Sequence, residues 1–174
     1  MNKKEPISIY IVEDNKIFTL ALKADIETAF SNTPIKIQSF ETGEDCMTKF
    51  KVEKPQIVIL DYNLNSKYPT AADGIKVLDW IKHENPDTHV IILTGNDSLD
   101  IALKSLKHGA SDYVVKTETQ FRKINYSLLN IFNTLKAKRE AKKYKSAMLA
   151  LTICIVGWIS VLFVMQMVNP PIGR

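Results

Sequence analysis

Short apolar runs alternate with amphipathic stretches along residues 1–118 of the chain. Five runs, Ile7–Val12 (ISIYIV), Ile35–Gln38 (IKIQ), Ile57–Leu60 (IVIL), Val90–Leu93 (VIIL) and Tyr113–Val115 (YVV), are short and rich in β-branched residues. Branched side chains fit a pleated surface, so these runs predict strands. Between them Ile17, Leu20, Ala21 and Ala24 recur at helical spacing, as do Ile75, Leu78 and Ile81, and then Leu99, Leu103 and Leu106. Those stripes predict helices. Near-continuous apolar strands imply a sheet buried on both faces, and their alternation with helices implies parallel pairing through right-handed crossovers. The expected fold is α/β, a doubly wound five-stranded parallel sheet.

A fifth helix is expected from about Thr119, with Phe121, Ile124, Leu128, Ile131 and Leu135 on one stripe. Such spacing suits a short coiled coil, yet a helix lying on a sheet needs the same stripe and is the favoured reading. No Gly or Pro occurs from Ala110 to Val156, so this helix can continue without a break. The 22 residues Ala147–Val168 (AMLALTICIVGWISVLFVMQMV) then carry no charge. As a helix they would extend roughly 33 Å, against roughly 30 Å of bilayer hydrocarbon. A transmembrane helix is expected there, because a domain of this size rarely encloses so long a segment that is apolar all round. The division is then a domain at 1–135, a basic juxtamembrane linker at 136–146, a span at 147–168 and a short non-cytoplasmic tail at 169–174.

Charge sharpens this picture. The net charge is +4, yet Lys136, Lys138, Arg139, Lys142, Lys143 and Lys145 face only Glu140 within one ten-residue block. The basic character is therefore local and gives no reason to expect nucleic-acid binding. A basic flank beside an apolar span places the domain on the cytoplasmic side and offers attraction to anionic membrane lipid. A solvated flank without lipid specificity explains the block equally well. The N-terminus lacks the apolar core of a signal peptide. Cys46 and Cys154 lie far apart in unlike segments and form neither metal spacing nor disulfide framework, consistent with a reducing compartment.

Each predicted strand but the second leads into a chemically pointed residue: Glu13 and Asp14 after the first, Asp61 after the third, Thr94 after the fourth, Lys116 after the fifth. The carboxyl ends of the strands of an open α/β sheet form its binding crevice. Taken singly, Asp14 could cap a helix, Asp61 could begin a turn and Lys116 could be a solvated end. Together they would bring three carboxylates, a hydroxyl and an ammonium into one pocket. The carboxylates would repel unless screened by a divalent cation, and oxygen ligands with open positions suit Mg²⁺. Asp61 could then act as a nucleophile toward phosphorus.

The segments IVEDN (11–15), VILDYN (58–63), ILTG (92–95) and DYVVK (112–116) resemble, in this order, the receiver domain of bacterial two-component response regulators. The resemblance covers about Ile7 to Leu135 and implies a flavodoxin-like strand order of 2-1-3-4-5. It makes Asp61 the phosphoacceptor and Asp14 a direct Mg²⁺ ligand, with Glu13 acting on the metal largely through water. Asn63 matches the position whose backbone carbonyl binds the metal. Thr94 matches the switch hydroxyl, Tyr113 the coupled aromatic and Lys116 the phosphate-pairing lysine. The implied phosphodonor is a histidine kinase or phosphotransfer protein.

Two departures from the family stand out. The loop DYNLNSKYPTAADG (61–74) is longer than usual, its section 66–72 forming an altered lip, and an apolar segment stands where an output domain is usual. The expectation is a non-enzymatic, membrane-anchored phosphorylation switch at a bacterial inner membrane. It signals through contacts with a downstream protein, with homodimer formation open. The alternative is a phosphorylation-independent scaffold that keeps the receiver fold. A DNA-binding regulator lacks a segment to bind with, and a magnesium-dependent phosphatase fits the set Thr94, Tyr113 and Lys116 less well.

Overall fold

A computed structural model describes residues 5–64, 71–95 and 97–168, with side chains as far as Ile159. The elements alternate along the chain as β1 (Ile7–Val12), α1 (Lys16–Ala29), β2 (Ile35–Phe40), α2 (Gly43–Glu53), β3 (Ile57–Asp61), α3 (Gly74–Glu84), β4 (His89–Thr94), α4 (Leu99–Lys107), β5 (Asp112–Val115) and α5 (Gln120–Val168). All strand pairs are parallel and the order is β2-β1-β3-β4-β5. Every expected strand is present, and four extend one or two residues beyond their apolar runs. Such ends are set by ladder hydrogen bonds as well as by side-chain type.

Alternation of side chains along each strand divides the core. Tyr10, Val12, Val58, Leu60, Val90 and Ile92 pack with Cys46, Met47 and Phe50 of α2 and with Ile75, Val77, Leu78 and Ile81 of α3. Ile9, Ile11, Ile57, Ile59, Ile91 and Leu93 take the other face and are equally buried, as are Leu22 and Ile26 of α1 and Ile124 and Leu128 of α5. Burial of Ile124 and Leu128 within the chain accounts for their stripe without a coiled-coil partner.

Two helices present a different face from the one their leucines suggest. In α1 the buried residues are Thr19, Leu22 and Ile26, whereas Ile17 is 81% and Leu20 68% exposed. In α4 only Ser105 is fully buried, and Leu99, Leu103 and Leu106 face outward. Ser105 donates its hydroxyl to the Ile101 carbonyl at 2.8 Å, so a small residue enters the core with its polar atom satisfied inside the helix.

The chain divides into two compact units, Met1–Leu129 and Asn130–Arg174, and α5 is a single helix across that boundary. Its continuity accords with the absence of Gly and Pro before Gly157. Among the described residues no helix is long and apolar enough to cross a membrane. Of the expected transmembrane helix at 147–168, side chains are described for Ala147–Ile159. The rest of that span, 160–168, is helical backbone, and the tail at 169–174 lies outside the described residues. The same holds for residues 65–70 of the lengthened loop.

Candidate functional site

The strand order reverses between β1 and β3, and chemistry collects at the carboxyl ends beside that point. Register fixes the ends. Asp61 pairs with Leu93 and Thr94 with Val115. Backbone bonds continue past the strands, from Glu13 N–H to the Phe40 carbonyl at 3.0 Å and from Lys116 N–H to the Thr94 carbonyl at 2.7 Å. The residues just beyond the sheet are thereby aligned as firmly as those within it.

Glu13, Asp14 and Asp61 each bring a carboxylate oxygen within 4.8 Å of the other two. Glu13 is 2% and Asp61 3% exposed, whereas Asp14 is half-buried. The Lys116 ammonium donates to Oε2 of Glu13 at 2.6 Å and lies 3.1 Å from Oδ1 of Asp61. The second contact is an ion pair without hydrogen-bond geometry, so Oδ1 of Asp61 is a buried oxygen with no hydrogen-bond donor. A buried carboxylate oxygen in that condition carries an appreciable desolvation cost. The acidic donors outnumber the one cation among them, which fits a hard divalent ion of the Mg²⁺ type.

Protonation follows from the same crowding. Burial pushes the Glu13 carboxyl above its ordinary value, the charge of Asp61 pushes it further, and the Lys116 contact opposes both. For Lys116 burial works downward, but Asp61 and Glu13 outweigh it and hold the ammonium above its ordinary value. Lys116 is therefore charged throughout the physiological range.

Thr94 is fully buried at the end of β4, and Tyr113 is half-buried on the neighbouring strand, in register with Ile92. Burial raises the Tyr113 hydroxyl above its usual value, while hydrogen bonds with the Ser98 backbone and the Thr94 side chain pull the other way. The threonine and tyrosine are thus in direct contact. Asn63 occupies the turn after β3 with its side chain exposed. Of the residues singled out from sequence, Glu13, Asp14, Asp61 and Lys116 form one cluster, Thr94 and Tyr113 an adjoining pair, and Asn63 the rim.

Three further residues shape the site. Asn15 caps α1, accepting from the Ile17 and Phe18 N–H groups at 3.1 Å, and its own N–H donates to Oε1 of Glu13 at 3.3 Å. An Asn before an apolar helical stripe is a readable capping signal. Gly74 approaches so closely that a Cβ there would stand 2.5 Å from the Asp61 carbonyl oxygen and 2.7 Å from Cα of Tyr62. Its N–H donates to the Tyr62 carbonyl at 2.9 Å, closing the loop that leaves β3. Phe18 stands over Lys116, with its ring centroid 4.9 Å from the ammonium.

Comparison with known proteins agrees with this geometry. A family model described as the response regulator receiver domain matches residues 9–125. The regulatory protein LuxO of Vibrio cholerae is 27% identical over 106 residues, covering 61% of this chain and 21% of that protein. The chain therefore spans about a fifth of the length of this curated relative. Among solved structures, the signal receiver domain of a LuxO repressor protein from Vibrio parahaemolyticus superposes with a TM-score of 0.65 at 27% identity, covering 78% of this chain and 96% of its own. The beryllofluoride-activated receiver domain of DrrB has a TM-score of 0.60 at 26% identity, covering 74% and 99%.

Proposed function

The chain belongs to the response regulator receiver domain family, and from that membership we propose that Asp61 is its phosphoacceptor, charged by a histidine kinase or phosphotransfer protein at a membrane surface. Receiver domains accept phosphoryl groups on aspartate and generally bind Mg²⁺ in an acidic pocket. The observation that carries the assignment is the buried Asp61 carboxylate, 3.1 Å from the Lys116 ammonium and grouped with Glu13 and Asp14.

In this reading an Asp61 carboxylate oxygen forms the new bond to phosphorus as the donor's bond to phosphorus breaks. The leaving group departs with the electron pair. Lys116 supplies positive charge to the transferred phosphoryl oxygens, and the Thr94 hydroxyl supplies a hydrogen bond. Asp14 would hold the metal directly, Glu13 largely through water and Asn63 through its carbonyl. The metal neutralises charge on the oxygens when bound. Drawing Thr94 toward the phosphoryl group breaks its present contact with Tyr113, so the tyrosine can change its packing. A bias of a few kcal/mol between two arrangements suffices for such a switch. The outward leucines of α4 provide apolar surface on which a downstream protein could read it.

The membrane reading rests on chemistry of the second unit. Described residues 136–159 are all exposed, and Met148, Leu149, Leu151, Ile153, Ile155, Val156, Trp158 and Ile159 stand unburied behind the basic block. A contiguous apolar surface of that kind calls for lipid or a partner. Lipid suits the uncharged sequence that continues to Val168. Orientation would place the receiver at the cytoplasmic face of a bacterial inner membrane.

The full chain incubated with Mg²⁺ and acetyl phosphate should become labelled, and Asp61→Asn should not. Equal labelling of both would remove Asp61 as acceptor. In cells, an Asp61→Asn strain indistinguishable from wild type, beside a deletion strain that is not, would favour the phosphorylation-independent scaffold.

A further inference from the structure

Lys116 has a third neighbour besides its two carboxylates. The ammonium stands 4.9 Å from the centroid of the Phe18 ring, and Phe18 in turn packs on Phe121 with centroids 5.6 Å apart and planes tilted by 52°. Phe18 belongs to the first turn of α1 and Phe121 to the first turn of α5, so the pair joins two helix starts beside the site. The position of Phe18 is fixed locally. Oδ1 of Asn15 accepts from its N–H at 3.1 Å, and the Asn15 N–H donates to the Glu13 carboxylate at 3.3 Å. One capping residue therefore sets both the acid and the ring that flank the lysine.

An aromatic face attracts a cation through its quadrupole without using any of the three N–H donors. Those donors stay available for Glu13, Asp61 and an incoming phosphoryl oxygen. A polar residue in the same place would compete for them. An aliphatic one would fill the space and exert no pull, leaving a long flexible side chain to find its own place.

We propose that Phe18, backed by Phe121, is a positioning residue that holds the Lys116 ammonium in place for phosphoryl transfer to Asp61. The proposal rests on Asp61 being the acceptor, and its test separates the two.

The full 174-residue chain in detergent is labelled with acetyl phosphate at saturating Mg²⁺, and the Lys116 side chain is followed by NMR. In wild type the ring current of Phe18 should move the Lys116 ε-methylene protons upfield. Phe18→Leu should return them to the ordinary lysine position and slow labelling about five- to tenfold, the scale of a lost, partly desolvated cation–π contact. Phe18→Tyr and Phe18→Trp keep an aromatic face and should retain both the upfield shift and a rate within about twofold of wild type. Phe121→Leu removes the backing ring and should slow labelling in the same direction, which keeps the comparison open should Phe18→Leu not fold. Ordinary Lys116 shifts in wild type, or labelling of Phe18→Leu as fast as wild type, would overturn the positioning role while leaving Asp61 as acceptor. Absence of label on wild type would sink the acceptor assignment, and this role with it.

Discussion

Glu13 illustrates how a single residue carries the electrostatic cost of the pocket. Its carboxyl is pushed above the ordinary value, first by burial and then by Asp61. An acid whose pKa is higher folded than unfolded binds its proton more tightly in the native state. Stability of the metal-free protein is therefore lost as pH rises from the unfolded value of about 4.5 toward the raised one. Glu13→Gln cannot titrate, so its denaturation midpoint should fall less steeply with pH over that window, as urea unfolding at several pH values would measure. A variant slope equal to that of wild type would mean that Glu13 is not the strained group. Glu13, Asp14, Asp61 and Lys116 were legible in the sequence as a set, because each alone has an ordinary structural explanation but together they stand at the strand ends that form one crevice. Phe18 and Gly74 were not. An aromatic residue early in a helix reads as ordinary packing, and the approach of Gly74 to the Asp61 carbonyl exists only once residues 13 apart in the chain have met.

At the scale of elements, hydrophobic periodicity found four of the five helices, gave no stripe for α2, and misjudged which face of two of the four turns inward. In α3 the stripe Ile75, Leu78 and Ile81 is buried as its spacing suggests. In α4 the leucines lie outside and Ser105 lies within, because a hydroxyl bonded to its own helix carries little burial cost. Apolar spacing alone cannot distinguish an inward stripe from one reserved for a partner. The two kinds of leucine should separate cleanly in unfolding experiments. Leu78→Ala should cost about 2–5 kcal/mol, and Leu99→Gln, at a position 73% exposed, less than about 0.5 kcal/mol. A Leu99→Gln cost comparable to that of Leu78→Ala would place α4 the other way round.

For the whole molecule, strand order followed from the resemblance to receivers, since local pattern alone fixes which strands exist but not which are neighbours. Helix α5 was legible as unbroken as far as Val156 because its sequence has no Gly or Pro up to that point. The proposed anchor makes a claim on the second unit that a simple fractionation tests. A chain ending at Lys145 should leave the membrane fraction, while the full chain should stay in it. Retention of the shortened chain would mean that the uncharged run beyond Ala147 is not the tether.

The bond that joins Tyr62 and Gly74 at the base of the loop after β3 has a consequence for how this protein can diversify. Whatever departs at one side of that collar must return at the other, and Asp61 stands immediately before it. Lengthening a closed ring costs little, about 0.6 kcal/mol for each doubling. Insertions there can rewrite the rim that partners meet while the aspartate keeps its place.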